Sequence, residues 1–360
     1  MRGPGEHVLK VGLVGCGRIA KRHADLLGSG AVDGATLAAV SDIDPVRAEA
    51  FVQTYGVPGY TALEEMLTQA DLDVVAVLTP SGLHAEHAIA AAEAGKHVVV
   101  EKPMALRLAD ADAMIRACDR AGVKLFVVKQ NRFNVPVVKA REALEEGRFG
   151  KLVLGTVRVR WCRDQAYYDQ DPWRGTWVLD GGVLANQASH HIDLLEWFLG
   201  DVESVHARAM TALVDIEAED TAVATLKFRN GALGIIEATN ATRPRDLEGS
   251  LSVLGSSGSV VIGGFAVNRI DAWQFAEPRP VDGQIASRYS VNPPDVYGYG
   301  HKAYYQHVVQ CLADGRAALV DGLEGRRSLE LINALYDSIE SGSEIFLEGG
   351  AMRSRLGRDT

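Results

Sequence analysis

Three short strings in the chain carry residue types that can do more than pack. The first, Gly15-Cys16-Gly17-Arg18-Ile19-Ala20, lies between an apolar run and an amphipathic one. Glycines there let the backbone approach a pyrophosphate at a helix N-terminus, where unpaired N–H groups and the helix dipole favour an anion. Asp42 follows Ala20 by 22 positions, at the end of the next apolar run. At that spacing a carboxylate accepts the ribose hydroxyls of an adenosine, and it repels a 2′-phosphate. The pattern points to NAD rather than NADP, with Gly15, Gly17, Arg18, Ile19 and Asp42 as contacts.

The second string, Glu101-Lys102-Pro103, ends another apolar run and puts an ammonium where a substrate hydroxyl would meet a nicotinamide. Partly desolvated beside a cationic ring, Lys102 is expected to have a lowered pKa, suited to proton transfer or to orienting a hydroxyl. Glu101 and Lys102 are also expected at the cofactor, and the Pro103 peptide is open to the cis form. Between the two strings, Leu78-Thr79-Pro80-Ser81-Gly82-Leu83-His84 ends a strand near the switch point of an open α/β sheet, which places Thr79, Pro80 and His84 by the cofactor. His84 and His87 share a helix face, but no thiol or acid joins them in a metal-site pattern, so no metal is expected.

The third string is Gly181-Gly182-Val183-Leu184-Ala185-Asn186-Gln187-Ala188-Ser189-His190-His191-Ile192-Asp193. On a helix running over 186–199, Asn186 and His190 stand at i, i+4 and Asp193 at a further i+3, so an amide, an imidazole and a carboxylate share a face while His191 points elsewhere.

The elements that must position these residues are legible in the periodicity. Short apolar runs at 8–14, 36–41, 74–78, 97–100 and 124–128 alternate with helical patterns at 19–27, 45–55, 63–69, 84–94 and 108–121. That alternation predicts β-α-β units in a doubly wound parallel sheet. Residues 131–148 read as one more amphipathic helix. Beyond Lys151 the runs at 152–160, 202–209, 222–228, 232–238, 250–254, 259–262 and 269–275 are β-rich, with the turn Asn230-Gly231 between two of them, and predict a largely antiparallel sheet. Helices are expected at 304–313 and 325–341, and 277–295 reads as a long surface loop.

With 360 residues, 47% hydrophobic and 23% charged, the chain suits two soluble domains. Its 37 basic against 47 acidic residues give a net charge of −10, which argues against nucleic acid as a partner. Cys16, Cys118, Cys162 and Cys311 form no paired motif, as expected of a reducing compartment. The first residues lack the apolar run of a secretion signal, and no uncharged stretch approaches the ~18 residues of a membrane span, so a cytoplasmic protein without membrane contact is expected.

The three strings, in that order over nearly the whole length, resemble the glucose-fructose oxidoreductase, inositol dehydrogenase and MocA family. The resemblance implies an N-terminal Rossmann domain (1–130) for NAD. It also implies a C-terminal open-faced sheet domain with helices on one side (131–360) for substrate and homo-oligomer contacts, as dimer or tetramer, the last helix being free to pack back on the first domain. It assigns Lys102 and His190 as catalytic residues and Asn186 to a position many members fill with Asp. An amide cannot take a proton, which leaves His190 and Lys102 to manage it, with the choice of base open.

Arg158 and Arg160 alternate on one strand, and Arg163 and Arg174 follow in the aromatic-rich stretch ending Trp173-Arg174-Gly175-Thr176-Trp177. Guanidinium forks suit carboxylate or phosphate, so an anionic sugar or nucleotide sugar is expected, bound by Arg160, Arg163, Trp173, Arg174, Asn186 and Asp193. Within the family these runs, with Gly298-Tyr299-Gly300-His301, resemble dehydrogenases of UDP-N-acetyl-2-amino-2-deoxyglucuronate. That resemblance implies oxidation of the sugar 3-hydroxyl for bacterial surface polysaccharides, with NADH recycled by 2-oxoglutarate. The alternatives are an inositol or aldose dehydrogenase, an NAD-dependent glycosidase and a non-catalytic NAD-binding sensor.

Overall fold

A computed structural model describes residues 7–291, 293, 298–347 and 353–358. They fall into two units, one of Met1–Val128 with His301–Arg326 and one of Lys129–Gly300 with Arg327–Thr360.

The first unit alternates β1 (Leu9–Val14), α1 (Arg18–Gly28), β2 (Ala35–Ser41), α2 (Pro45–Tyr55), β3 (Gly59–Tyr60), α3 (Leu63–Gln69), β4 (Val74–Val77), α4 (His84–Glu93), β5 (His97–Val100), α5 (Leu108–Ala121) and β6 (Leu125–Val127). All its strand pairs are parallel, in the order β3-β2-β1-β4-β5-β6. Helices on both faces bury β4 completely, which is why it reads as an unbroken Val-Val-Ala-Val run. The order reverses between β1 and β4, and their carboxyl ends carry the Gly15 and Thr79 loops. β3, two residues long, is too short to show a period in sequence.

The second unit continues with α6 (Val135–Glu145), β7 (Leu152–Arg160), α7 (Gln165–Tyr168), α8 (Ser189–Leu199), β8 (Val202–Met210), β9 (Thr221–Phe228), β10 (Leu233–Thr239), β11 (Glu248–Gly255), β12 (Gly258–Gly263), β13 (Arg269–Phe275) and α9 (Asp282–Tyr289). After them the chain forms α10 (Gly300–Asp314) and α11 (Gly322–Ser341), whose residues from His301 to Arg326 belong to the first unit, and returns to the second with β14 (Ile345–Phe346). Its eight strands run β13-β12-β11-β7-β10-β9-β8-β14, antiparallel except for the β7–β10 pair. α8 is buried at every position but Trp197 and packs on one face, where a Cβ at Gly155 would meet Leu195 and Leu199 at 2.7 and 2.6 Å. The other face is solvent-facing: β9 alternates buried and open positions along its length.

Three expected elements are corrected. The helix read over 131–148 starts at Val135, because Pro136 fits only a first turn; Gln130–Phe133 is a separate 3-10 turn. The helix read from Asn186 starts at Ser189. The loop read over 277–295 contains α9, anchored where the Asp282 carboxylate accepts both Arg148 forks (3.0 and 2.6 Å) and the Trp273 indole N–H (2.8 Å); its residues 292, 294 and 295 lie outside the described residues. The segment 301–326 joins the first unit, where the Val127 N–H donates to the Val320 carbonyl at 3.1 Å.

Candidate active site

In the first unit Gly15 takes φ +92°, and a Cβ there would lie 3.0 Å from the Leu78 carbonyl oxygen, so only glycine lets the β1 and β4 loops meet. A Cβ on Gly17 would meet nothing within 4 Å. Gly17 caps α1 with no side-chain bond, which leaves the first-turn amides of Arg18 and Ile19 to face an anion. The Asp42 carboxylate accepts the Cys16 N–H at 2.7 Å and the Asp44 N–H at 2.9 Å, which fixes it at the end of β2.

Behind the β4 and β5 loops lies a buried polar cluster. His84 is 1% exposed, with Nδ1 2.8 Å from the Pro103 carbonyl and Nε2 2.8 Å from the Thr79 carbonyl. Burial lowers its pKa, opposed by those two carbonyls. His84 ties the Thr79-Pro80 loop to the cis Lys102–Pro103 turn. Glu101 is also buried. Its Oε1 lies 3.1 Å from His23 Nε2 and 3.9 Å from His301 Nε2, and its Oε2 accepts the Lys102 N–H at 3.0 Å. Burial would raise its pKa, but the bonds from His23 and His301 outweigh burial and hold it well below the usual carboxylate range. His23 Nδ1 continues the chain to the Tyr305 hydroxyl at 2.6 Å. His23, Glu101 and His301 hold ligand atoms within 4.8 Å of one another, and here the carboxylate is engaged in hydrogen bonds that fix the backbone of Lys102, itself half-buried.

In the second unit the loop before α8 is pinned by Glu219. Its carbonyl accepts the Val183 N–H at 2.9 Å, and its Oε1 accepts the Leu184 N–H and the Tyr336 hydroxyl, both at 2.9 Å. A Cβ at Gly182 would sit 2.1 Å from Glu219 Oε2, so the loop needs glycine there. Oε2 is buried with no partner among the described residues, and burial pushes the carboxyl up to about 7. Asn186, half-buried among buried neighbours, donates its amide to Asp180. It stands three residues before the helix, so Asn186 and His190 are not the helical pair expected. His190 is 6% exposed, and its Nε2 lies 3.0 Å from the Gln130 side-chain amide. His191 packs edge-on to Trp161, and burial pushes its pKa down to about 4.

Asp193, expected among the substrate contacts, instead closes a buried salt bridge. Arg132 donates to both its oxygens at 2.9 Å, and Lys129 Nζ stands 3.7 Å away. Burial would raise the carboxyl, but Arg132 and then Lys129 outweigh it and hold it low.

Two family models match the chain: an oxidoreductase family NAD-binding Rossmann fold over residues 9–129, and the same family's C-terminal alpha/beta domain over 141–347. The chain belongs to the Gfo/Idh/MocA oxidoreductase family. It is 31% identical over 348 residues to the myo-inositol 2-dehydrogenase of Thermotoga maritima, covering 94% of this chain and 99% of that one. It is 26% identical over 352 residues to the NAD-linked scyllo-inositol 2-dehydrogenase of Bacillus subtilis, covering 95% and 97%. Among solved structures it is similar to the WlbA dehydrogenase of Bordetella pertussis in complex with NADH and UDP-GlcNAcA. That likeness has a TM-score of 0.89 and 46% identity over 96% of this chain and 99% of that one. The protein is an NAD-dependent sugar dehydrogenase, acting on a CH–OH group.

As a Gfo/Idh/MocA member its first unit fits the cofactor: the Gly15-Gly17 loop and α1 first turn suit the pyrophosphate, and the fixed Asp42 carboxylate suits the ribose. Residues 155, 157 and 159 of β7 turn toward α8, so Arg160 projects from the opposite face, where its guanidinium is bonded to Glu237 (2.6 and 2.9 Å) and Glu248 (3.1 Å). Arg163 bonds Asp246 at 2.9 Å, and Arg174 bonds Asp171 at 3.2 Å. The two guanidinium groups lie 5.4 and 4.6 Å from the centre of the Tyr167 ring, with Arg174 also 4.7 Å from that of Trp173. Gln187 reaches the Tyr167 hydroxyl at 3.4 Å, which ties this aromatic stack to the Asn186 loop. Lys129, Gln130, Arg132 and Glu219 were not singled out in sequence; four polar residues closing a strand ahead of Pro136 were the available signal for the first three.

Proposed function

We propose that the chain oxidises the 3-hydroxyl of UDP-N-acetyl-2-amino-2-deoxyglucuronate to a 3-keto sugar for bacterial surface polysaccharide synthesis. When bound, NAD supplies the hydride acceptor. His190, with the ammonium of Lys102 orienting the hydroxyl, takes the hydroxyl proton; Asn186 holds the sugar by hydrogen bonds without competing for it. Arg163 and Arg174, both over the Tyr167 ring, contact the anionic part of the substrate together with Trp173, against which Arg174 also stacks. The observation that carries this reading is the likeness over 96% of the chain to the Bordetella enzyme whose complex holds NADH and UDP-GlcNAcA. We further infer that 2-oxoglutarate recycles the NADH, and that copies associate through the open sheet face, where Val223, Leu233 and Ile235 stand 51%, 56% and 42% exposed.

Absorbance at the reduced-nicotinamide band tests the reaction. UDP-GlcNAcA is expected to raise it and 2-oxoglutarate to reverse the rise, while myo-inositol leaves it flat; a response to myo-inositol alone would move the substrate to the inositols. His190→Asn is expected to lower kcat by about 10²- to 10⁴-fold.

A further inference from the structure

We propose that His23 and Tyr305 are positioning residues for Lys102, acting through the Glu101 carboxylate. This rests on the reading given above, in which the Lys102 ammonium orients the sugar hydroxyl.

The four residues all belong to the first unit. Glu101 stands where the chain leaves β5. Its own N–H still donates to the Val77 carbonyl at 3.0 Å, and the next N–H, that of Lys102, donates to Glu101 Oε2 at 3.0 Å. Pro103 has no N–H, and its carbonyl lies 2.8 Å from His84 Nδ1. The backbone on either side of the Lys102 side chain is thus gripped by a neighbour, and the grip on the N–H side is a carboxylate that must itself be aimed.

A carboxylate only accepts, so His23 Nε2, 3.1 Å from Glu101 Oε1, carries a hydrogen. In the neutral ring that leaves Nδ1 as the acceptor, and it faces the Tyr305 hydroxyl at 2.6 Å, whose proton burial retains. Edge-on packing against the Tyr305 and His301 rings, both with centroids at 5.4 Å, sets the plane of the imidazole. Hydroxyl, imidazole, carboxylate and backbone amide form one chain of bonds from α10 through α1 to the end of β5.

Glu101 is 5% exposed and His23 is 0% exposed. There a carboxylate oxygen that loses its donor bears the full cost of desolvation. The side chain then takes up a proton or turns away, and either change weakens the bond that holds the Lys102 N–H. The other titratable groups around Glu101 are His84 from α4 and His301 and Tyr304 from α10. His301 Nε2 stands 3.9 Å from Oε1, so His23 is the closer donor to that oxygen.

The test uses the full-length protein with NAD bound and lysine labelled with 15N in the backbone. The amide signal that disappears in Lys102→Arg should lie downfield in the proton dimension, as an N–H bonded to a carboxylate does. It should move upfield in His23→Leu and, by less, in Tyr305→Phe. With UDP-GlcNAcA, His23→Leu should lower kcat about 10- to 100-fold while NAD affinity and the sugar KM change little. His23→Gln, whose amide also offers an N–H, should recover most of that loss. Tyr305→Phe should lower kcat by less, and it carries the test if His23→Leu does not fold. An amide signal indifferent to these substitutions overturns the proposal, as does a kcat that stays at the parent value or falls only in step with NAD binding. The spectra need no sugar, so a wrong substrate leaves them readable, whereas full turnover by Lys102→Met would sink the underlying reading alone.

Discussion

Two regions reach the segment that ends in His190, and each does so with a buried carboxylate. The turn at Gln130–Phe133 holds α8 through Asp193, and the strand entry at Glu219 holds the Gly181–Gln187 stretch from which α8 springs. Asp193 faces Arg132 and Lys129 and stays ionised. Glu219 faces a backbone N–H and a tyrosine hydroxyl, with Asp180 the nearby charge, and burial lifts it to about 7. Equal burial thus gives opposite protonation, because neutral donors do not offset desolvation as two cations do. One anchor is indifferent to pH near neutrality; the other changes state there.

Removing the charged anchor gives the largest expected effect. Asp193→Ala leaves Arg132 and Lys129 buried without their anion and should destabilise the protein by about 3–5 kcal/mol in urea unfolding. A loss near zero would erase the distinction between the two anchors.

The second prediction concerns Glu219. Its folded pKa, about 7, lies above the ordinary 4.5, so the carboxyl's contribution is fully present below about 4.5 and is lost as pH rises through 7. The gap corresponds to roughly 3 kcal/mol. Glu219→Gln, which cannot ionise, should match the parent near pH 4.5 and exceed it in unfolding free energy at pH 8. Parallel pH profiles for the two proteins would show that Glu219 ionises normally in the fold.

Glu237 supplies the smallest effect and an outside reference. Its carboxylate is held low mainly by the hydrogen bond from Arg160, on the open sheet face. Glu237→Gln should cost less than about 1 kcal/mol, because solvent screens the pair.

The contrast also explains what could be read in sequence. The nucleotide loop and Asp42 are local features of one β-α-β unit, so spacing was enough to find them. Spacing also put Arg158 and Arg160 on one face of β7, but which face the helix covers depended on Gly155, the one residue there small enough to admit Leu195 and Leu199. Asp193 was found on the helix, yet its partners come from a turn read as the start of another helix; Pro136 was the correct signal for the boundary. Glu219 offered no motif, since its importance comes from contact with Gly182 and Tyr336, both far away in the chain.

The return of residues 301–326 to the first unit sets an order of events during synthesis. The first 128 residues leave the ribosome with His23 and Val127 lacking the partners that Tyr305 and Val320 later supply. The nucleotide-binding unit therefore reaches its finished state only after most of the second unit has been made. A fragment cut at its apparent boundary would therefore be an unfinished domain, with Glu101 still waiting for His301.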